Sequence, residues 1–212
     1  MEELEREYLI SYYDERVRLL GETPGALGWT SKGQIARYGA ALEMFGARNL
    51  ASGASLADYG CGMGDFYGFL LGNGVSMRDR YNGFDINQGL LDIARRRYPG
   101  VPFALLDIDL APLPRQFDFS LICGVFNQRL EGAIPAAKRC IEKVWAHTKK
   151  ALYFDALSTK TNPGAGGDIS LQYWGPRDLF DFAQNKNALP ESMASVFEVP
   201  AGESLVLFLE RD

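Results

Sequence analysis

Histidine is nearly absent: His147 stands alone among 212 residues, and there are only three cysteines, Cys61, Cys123 and Cys140. The cysteines have neither the paired spacing of a metal site nor the density of a disulfide framework. Each is therefore expected to be a small packing residue in a reducing compartment, and no metal is expected. Long apolar runs are missing too. No stretch reaches the length of a membrane span, and the opening residues, Met1-Glu2-Glu3-Leu4-Glu5-Arg6-Glu7, are acidic without an apolar signal core. A cytoplasmic protein with no membrane partner is expected. Basic excess is lacking: 22 Lys and Arg face 27 Asp and Glu, for a net charge of −5. That balance gives no footing for broad binding to a nucleic-acid backbone. The dense basic runs, Arg95-Arg96-Arg97 and Lys149-Lys150, fall at the ends of expected helices, where cations suit the dipole. Repeats and low-complexity linkers are absent as well.

What is present is an ordinary globular composition, 47% hydrophobic and 23% charged, at a length that suits one domain with one core. Helices are expected over 4–20 and 31–45, separated by the turn Gly21-Glu22-Thr23-Pro24-Gly25. Residues 1–50 would form a helical cap and 51–212 the core. In the core, strand-like segments (55–59, 81–86, 102–108, 118–125, 151–157) alternate with helical ones (65–71, 88–98, 134–148). Such alternation argues for a doubly wound α/β fold with a parallel sheet. The segment 158–174 is expected to be a long loop that contacts substrate through Tyr173 or Trp174, with simple packing as the alternative. A helix over 175–187 then leads to strands at 195–199 and 204–210. The short connection Pro200-Ala201-Gly202-Glu203 can join only antiparallel neighbours.

The most informative stretch is Leu56-Ala57-Asp58-Tyr59-Gly60-Cys61-Gly62-Met63-Gly64-Asp65. It is a strand that enters a glycine-rich turn and then a helix N-terminus, whose free N–H groups favour an anionic or hydroxyl-bearing ligand. A dinucleotide fold wants Gly-x-Gly-x-x-Gly, but the third glycine position holds Asp65. The observed Asp-x-Gly-x-Gly-x-Gly resembles the cofactor loop of class I S-adenosylmethionine-dependent methyltransferases, here of the small-molecule type. The resemblance implies a seven-stranded, mostly parallel sheet with a C-terminal antiparallel β-hairpin and an N-terminal helical cap.

It also implies a set of cofactor-binding residues. These are Asp58, Gly60, Cys61 and Gly62 in the turn, and Asp85 with Ile86 at the end of the next strand. Asp85, twenty-one residues past Gly64, would accept the ribose hydroxyls. Asp107 with Ile108 would recognise the adenine edge, with Asp109 as the competing acid. Gly124 would leave room for the methionine portion, and Asn127 just beyond it would lie towards the substrate. Glu7-Tyr8-Leu9-Ile10-Ser11-Tyr12-Tyr13-Asp14 resembles the Tyr-Asp helix that caps the cofactor in many small-molecule members, which would set Tyr13 over the methyl donor. Trp29 would wall the site and Arg37 pair with the donor's carboxylate; core packing is the alternative for Tyr13 and Trp29, and a surface charge for Arg37. No residue stands out as a general base. The candidates are Tyr13, His147 and Asp155, with a helix-end role open for His147 and a structural one for Asp155. The Asn/Asp-Pro-Pro-Tyr signature of nitrogen methylation is lacking, so the expected reaction is O-methylation of a small metabolite by a monomer or homodimer. A silent S-adenosylmethionine-binding scaffold and a nucleotide-dependent oxidoreductase are the alternatives.

Overall fold

The computed structural model describes residues 2–161, 168–199 and 204–211. The chain divides into two compact units, Met1–Asp107 and Ile108–Asp212.

The first unit opens with α1 (Glu3–Leu20), which begins at a capping box between Glu2 and Glu5 and stops at Gly21. A 3-10 turn (Pro24–Leu27) leads to α2 (Ser31–Phe45), whose first turn is capped by the Thr30 hydroxyl accepting from the Gly33 N–H at 3.0 Å. A short α3 (Ala47–Ala51) follows, then β1 (Leu56–Tyr59), α4 (Asp65–Gly72), β2 (Tyr81–Asp85), α5 (Gln88–Arg97) and β3 (Phe103–Leu105). The strands lie in the order β3-β2-β1 and are parallel, with Leu56 opposite Tyr81 and Gly83 opposite Phe103. All four residues of β1 are buried, the mark of a strand covered on both faces.

The second unit runs β4 (Phe117–Ile122), α6 (Ala133–Ala146), β5 (Thr148–Ser158), a 3-10 turn (Thr159–Thr161), β6 (Tyr173–Trp174), α7 (Pro176–Ala183), β7 (Met193–Glu198) and β8 (Ser204–Glu210). β4 and β5 are parallel, joined by the crossover helix α6. β8 lies antiparallel to both β5 and β7, which gives the order β4-β5-β8-β7. The chain is thus mixed α/β, with mostly parallel strands and the expected C-terminal antiparallel hairpin; the hairpin connection 200–203 lies outside the described residues.

Several boundaries differ from expectation. β3 ends at Leu105, which is exposed, so Asp107 lies two residues beyond the strand instead of ending it. β4 ends at Ile122, which leaves Gly124 on the turn that follows. The segment 158–174 is not wholly a loop. β5 runs on to Ser158 and so offers a partner to β6, with Leu157 opposite Tyr173 and Ser158 opposite Trp174, an eighth strand beyond the seven expected. Residues 162–167 of that segment lie outside the described residues.

Candidate functional site

The glycine turn of the first unit curls around the end of β2. The N–H groups of Gly60 and Cys61 both donate to the Phe84 carbonyl, at 2.7 and 3.0 Å. Next, the Gly62 N–H donates to Asp85 Oδ2 at 2.8 Å, so the carboxylate at the end of β2 closes the turn that follows β1. Gly62 (φ 53°) and Gly64 (φ 78°) are left-handed. A Cβ at Gly62 would sit 3.1 Å from Leu27 Cδ1, and one at Gly64 3.1 Å from the rings of Phe103 and Tyr98. Both positions therefore need glycine for conformation and for space.

Asp85 is buried, and burial raises its carboxyl above the ordinary value against the pull of N–H donors from Asn87, Gly62 and Ile86. Its Oδ1 takes the Asn87 N–H at 2.9 Å. A carboxylate has about four acceptor positions, so with three backbone N–H groups turned towards it Asp85 keeps acceptor capacity for a hydroxyl. Asp58, also buried, accepts from the Tyr81 hydroxyl; burial pushes its carboxyl up to about 7. Burial likewise pushes the Cys61 thiol well up, which keeps it in the unreactive thiol form.

The remaining candidates of this unit fall into three groups. Tyr13 packs with Val17 and Leu27 against Met63, Leu90 and Ile93, which sets it beside the glycine turn through Met63. The Arg37 guanidinium lies 4.6 Å from the centre of the Trp29 ring, and Arg37 is buried. Asp107 pairs with Arg6 Nε at 2.5 Å, which ties it to α1.

In the second unit the Ile108 carbonyl accepts from Lys143 Nζ at 2.7 Å. Asp109, the competing acid, forms a two-pronged pair with Arg139 at 3.0 and 2.8 Å, and that guanidinium holds its carboxyl down to about 2. Gly124 is left-handed (φ 74°) and donates its N–H to Asp155 Oδ1 at 2.6 Å, while the Cys123 thiol approaches Oδ2 at 3.5 Å. Asp155, only 1% exposed, thus braces the turn after β4. The Asn127 carbonyl accepts the Gln172 N–H at 2.8 Å. Tyr173 is half-buried, whereas Trp174 is 1% exposed with its ring 5.7 Å from Phe154. His147 caps the end of α6, its Nδ1 2.9 Å from the Lys143 carbonyl. Among the described residues no group of three or more His, Cys, Asp or Glu is placed to hold a metal.

No family model and no curated protein matches the chain in sequence. Solved structures match in shape. The magnesium protoporphyrin IX methyltransferase ChlM from Synechocystis PCC 6803, with bound SAH, aligns over 99% of both chains at a TM-score of 0.67 and 14% identity. This chain has the class I methyltransferase fold. DhpI in its SAH complex shares that fold over 97% of this chain and 96% of its own, at a TM-score of 0.64 and 17% identity. A chain of the Pnkp1/Rnl/Hen1 RNA repair complex aligns over 83% of this chain and 41% of its own, at a TM-score of 0.57 and 13% identity.

Within the methyltransferase fold, Asn87 and the roles of Asp65 and of Asp14, named only as part of the Tyr-Asp helix, escaped the sequence reading. Asn87 begins α5, its Oδ1 accepting the Leu90 N–H at 2.9 Å, and Asp14 of α1 accepts from Asn87 Nδ2 at 2.8 Å. Asp65, which the sequence marked only as a break in glycine spacing, is held by Gln34 at 3.1 Å and by Arg97 at 2.9 Å. The Asp85-Ile86-Asn87 spacing is a helix-start signal that points to the cap at Asn87. Nothing local marks the partners of Asp14 or Asp65.

Proposed function

We propose that this chain transfers a methyl group from S-adenosylmethionine to a small acceptor, and that the first unit holds the donor. The observation that carries the reading is the hydrogen bond from Gly62 to Asp85, which joins a glycine-rich turn and a buried carboxylate into one cradle. The donor suits this cradle through Asp85, whose remaining acceptor capacity can take a ribose hydroxyl beside the left-handed turn. Bound there, the donor supplies a methyl group already activated by a sulfonium, so the protein's work is alignment and exclusion of water. Asp85 orients the ribose, and Tyr13, packed against the cluster that includes Met63 of the turn, covers the donor side. Asp107 remains the candidate for the adenine edge, and Trp29 with Arg37 for the amino-acid end.

A small acceptor is favoured over a nucleic acid because each arginine of the run at the end of α5 is paired with a carboxylate of its own unit, two of the three pairs at the surface. Arg95 pairs with Asp92, Arg96 with Glu22, and Arg97 with Asp65. No basic stripe is left there to track phosphates. A donor-binding scaffold is the second reading, since no general base has been assigned.

Transfer of a labelled methyl group to panels of hydroxylated metabolites, amines and RNA separates the readings. Label on a hydroxyl-bearing metabolite supports the proposal, label on RNA alone overturns the acceptor class, and donor binding without transfer to any panel member favours the scaffold.

A further inference from the structure

α1 is fastened to the rest of the first unit at three points. Arg6 pairs with Asp107 near its start, and Arg16 donates to the Ala26 carbonyl at 2.8 Å and to the Gly25 carbonyl near its end. Between them stands Asn87, 2% exposed. Its Oδ1 is fixed by the Leu90 N–H and its backbone N–H by Asp85, so its amide nitrogen has to face α1. There Nδ2 donates twice, to the Ile10 carbonyl at 3.2 Å and to Asp14 Oδ1 at 2.8 Å. One buried amide thus connects the Asp85 carboxylate, the start of α5 and the middle of α1.

A second observation converges on the same point. Gly89 occupies the first turn of α5, a place where glycine weakens a helix relative to alanine. A Cβ at Gly89 would lie 3.1 Å from Asp14 Oδ1 and 3.2 Å from Asn87 Oδ1. The missing side chain is what lets the Asp14 carboxylate come down onto Asn87 at the helix start, where the positive end of the dipole also favours it.

We propose that Asp14, Asn87 and Gly89 form a latch that holds α1 over the glycine turn. Asp14 and Asn87 are then positioning residues for the methyl donor, a role that rests on the proposed function. Neither touches the donor. They act through Tyr13, the residue before Asp14, whose side chain packs against the cluster of Met63 in the turn and Leu90 and Ile93 of α5. Releasing the latch loosens Tyr13 and opens the donor's cover.

The polarity of the hydrogen bond gives a test that separates the latch from general stability. N87D keeps a good helix cap but sets two carboxylates face to face; D14N on that background restores the bond with donor and acceptor exchanged. D14N alone leaves an acceptor for Asn87 and serves as the control. Hydrogen exchange of residues 9–17 is measured on the donor-free protein, and S-adenosylhomocysteine affinity by calorimetry. N87D and Gly89→Ala are expected to speed exchange in α1 at least about tenfold and to weaken S-adenosylhomocysteine by a similar factor. The N87D/D14N pair restores the bond between positions 14 and 87 but not the one to the Ile10 carbonyl, so it is expected to recover part of both. Unchanged exchange in N87D, or no recovery in the double variant, overturns the latch. Faster exchange with unchanged affinity overturns the positioning role. A wild-type protein that binds no S-adenosylhomocysteine defeats the donor reading instead, while exchange in donor-free protein still decides the latch.

Discussion

Asp85 and Gly62, 23 residues apart, are joined by a 2.8 Å hydrogen bond from the glycine N–H to the buried carboxylate. Through that bond the strand end that carries the acid and the turn that carries the glycines cannot move separately. The donor reading depends on the acid keeping this bond and still having acceptor positions to spare.

Replacing Asp85 tests that division of labour. Asp85→Asn retains an oxygen for Gly62 but loses the charge, and Asp85→Ala loses both. Hydrogen bonds to a charged group are worth about 1.5–3 kcal/mol each, so Asp85→Ala should weaken S-adenosylmethionine by roughly a hundredfold or more. Asp85→Asn should fall between it and the wild type. Calorimetry gives the order, and equal affinity across all three would remove Asp85 from the site.

Gly62→Ala should cost both stability and affinity. Its backbone is left-handed at φ 53° and the new methyl would meet Leu27 Cδ1 at 3.1 Å. A left-handed non-glycine residue costs about 1–2 kcal/mol, which corresponds to several degrees in melting temperature for a chain of this size. Thermal unfolding measures the loss; a melting temperature equal to wild type would mean that the turn is free to rearrange.

The Asp58 carboxyl sets a pH dependence of stability. Burial pushes it up to about 7 from an ordinary 3.8, so between those values the folded protein holds a proton that the unfolded chain has released. Its contribution is therefore fully present below the unfolded value and is lost as pH rises through about 7. Asp58→Asn, which still offers an oxygen to Tyr81, should gain stability relative to wild type between pH 5 and pH 8. Denaturant unfolding at the two pH values checks the difference; a relative loss on going to pH 8 would contradict the assignment.

Trp174 separates packing from substrate contact. Its ring fills space against Phe154, while its indole N–H, buried, has no hydrogen-bond partner among the described residues. Trp174→Phe removes an unpaired N–H and should cost no more than about 1–2 kcal/mol, whereas Trp174→Ala should cost about 3–5 kcal/mol. Denaturant unfolding ranks them, and equal losses would point away from packing as the source.

What was legible in the sequence was local. The glycine spacing, Asp85 at a strand end and the short hairpin connection each lie within one segment, and their conformational demands can be read from residue type. The engagements that complete the first unit are long-range. Asn87 meets Asp14 across 73 residues and Gln34 meets Asp65 across 31, and residue type alone does not pair them. β6 was hidden for a related reason. Two residues carry no periodicity, and their order comes from β5 extending to Ser158 beside them. The end of β3 was misplaced because apolar residues recur at Leu106 and Ile108, although the chain departs from strand geometry after Leu105.

The central claim is that the glycine turn and Asp85 bind S-adenosylmethionine. Titrating the protein by calorimetry with S-adenosylmethionine, S-adenosylhomocysteine and NAD tests it most directly. Micromolar binding of the first two and none of NAD is expected. Binding of NAD alone, or of none of the three, would contradict it.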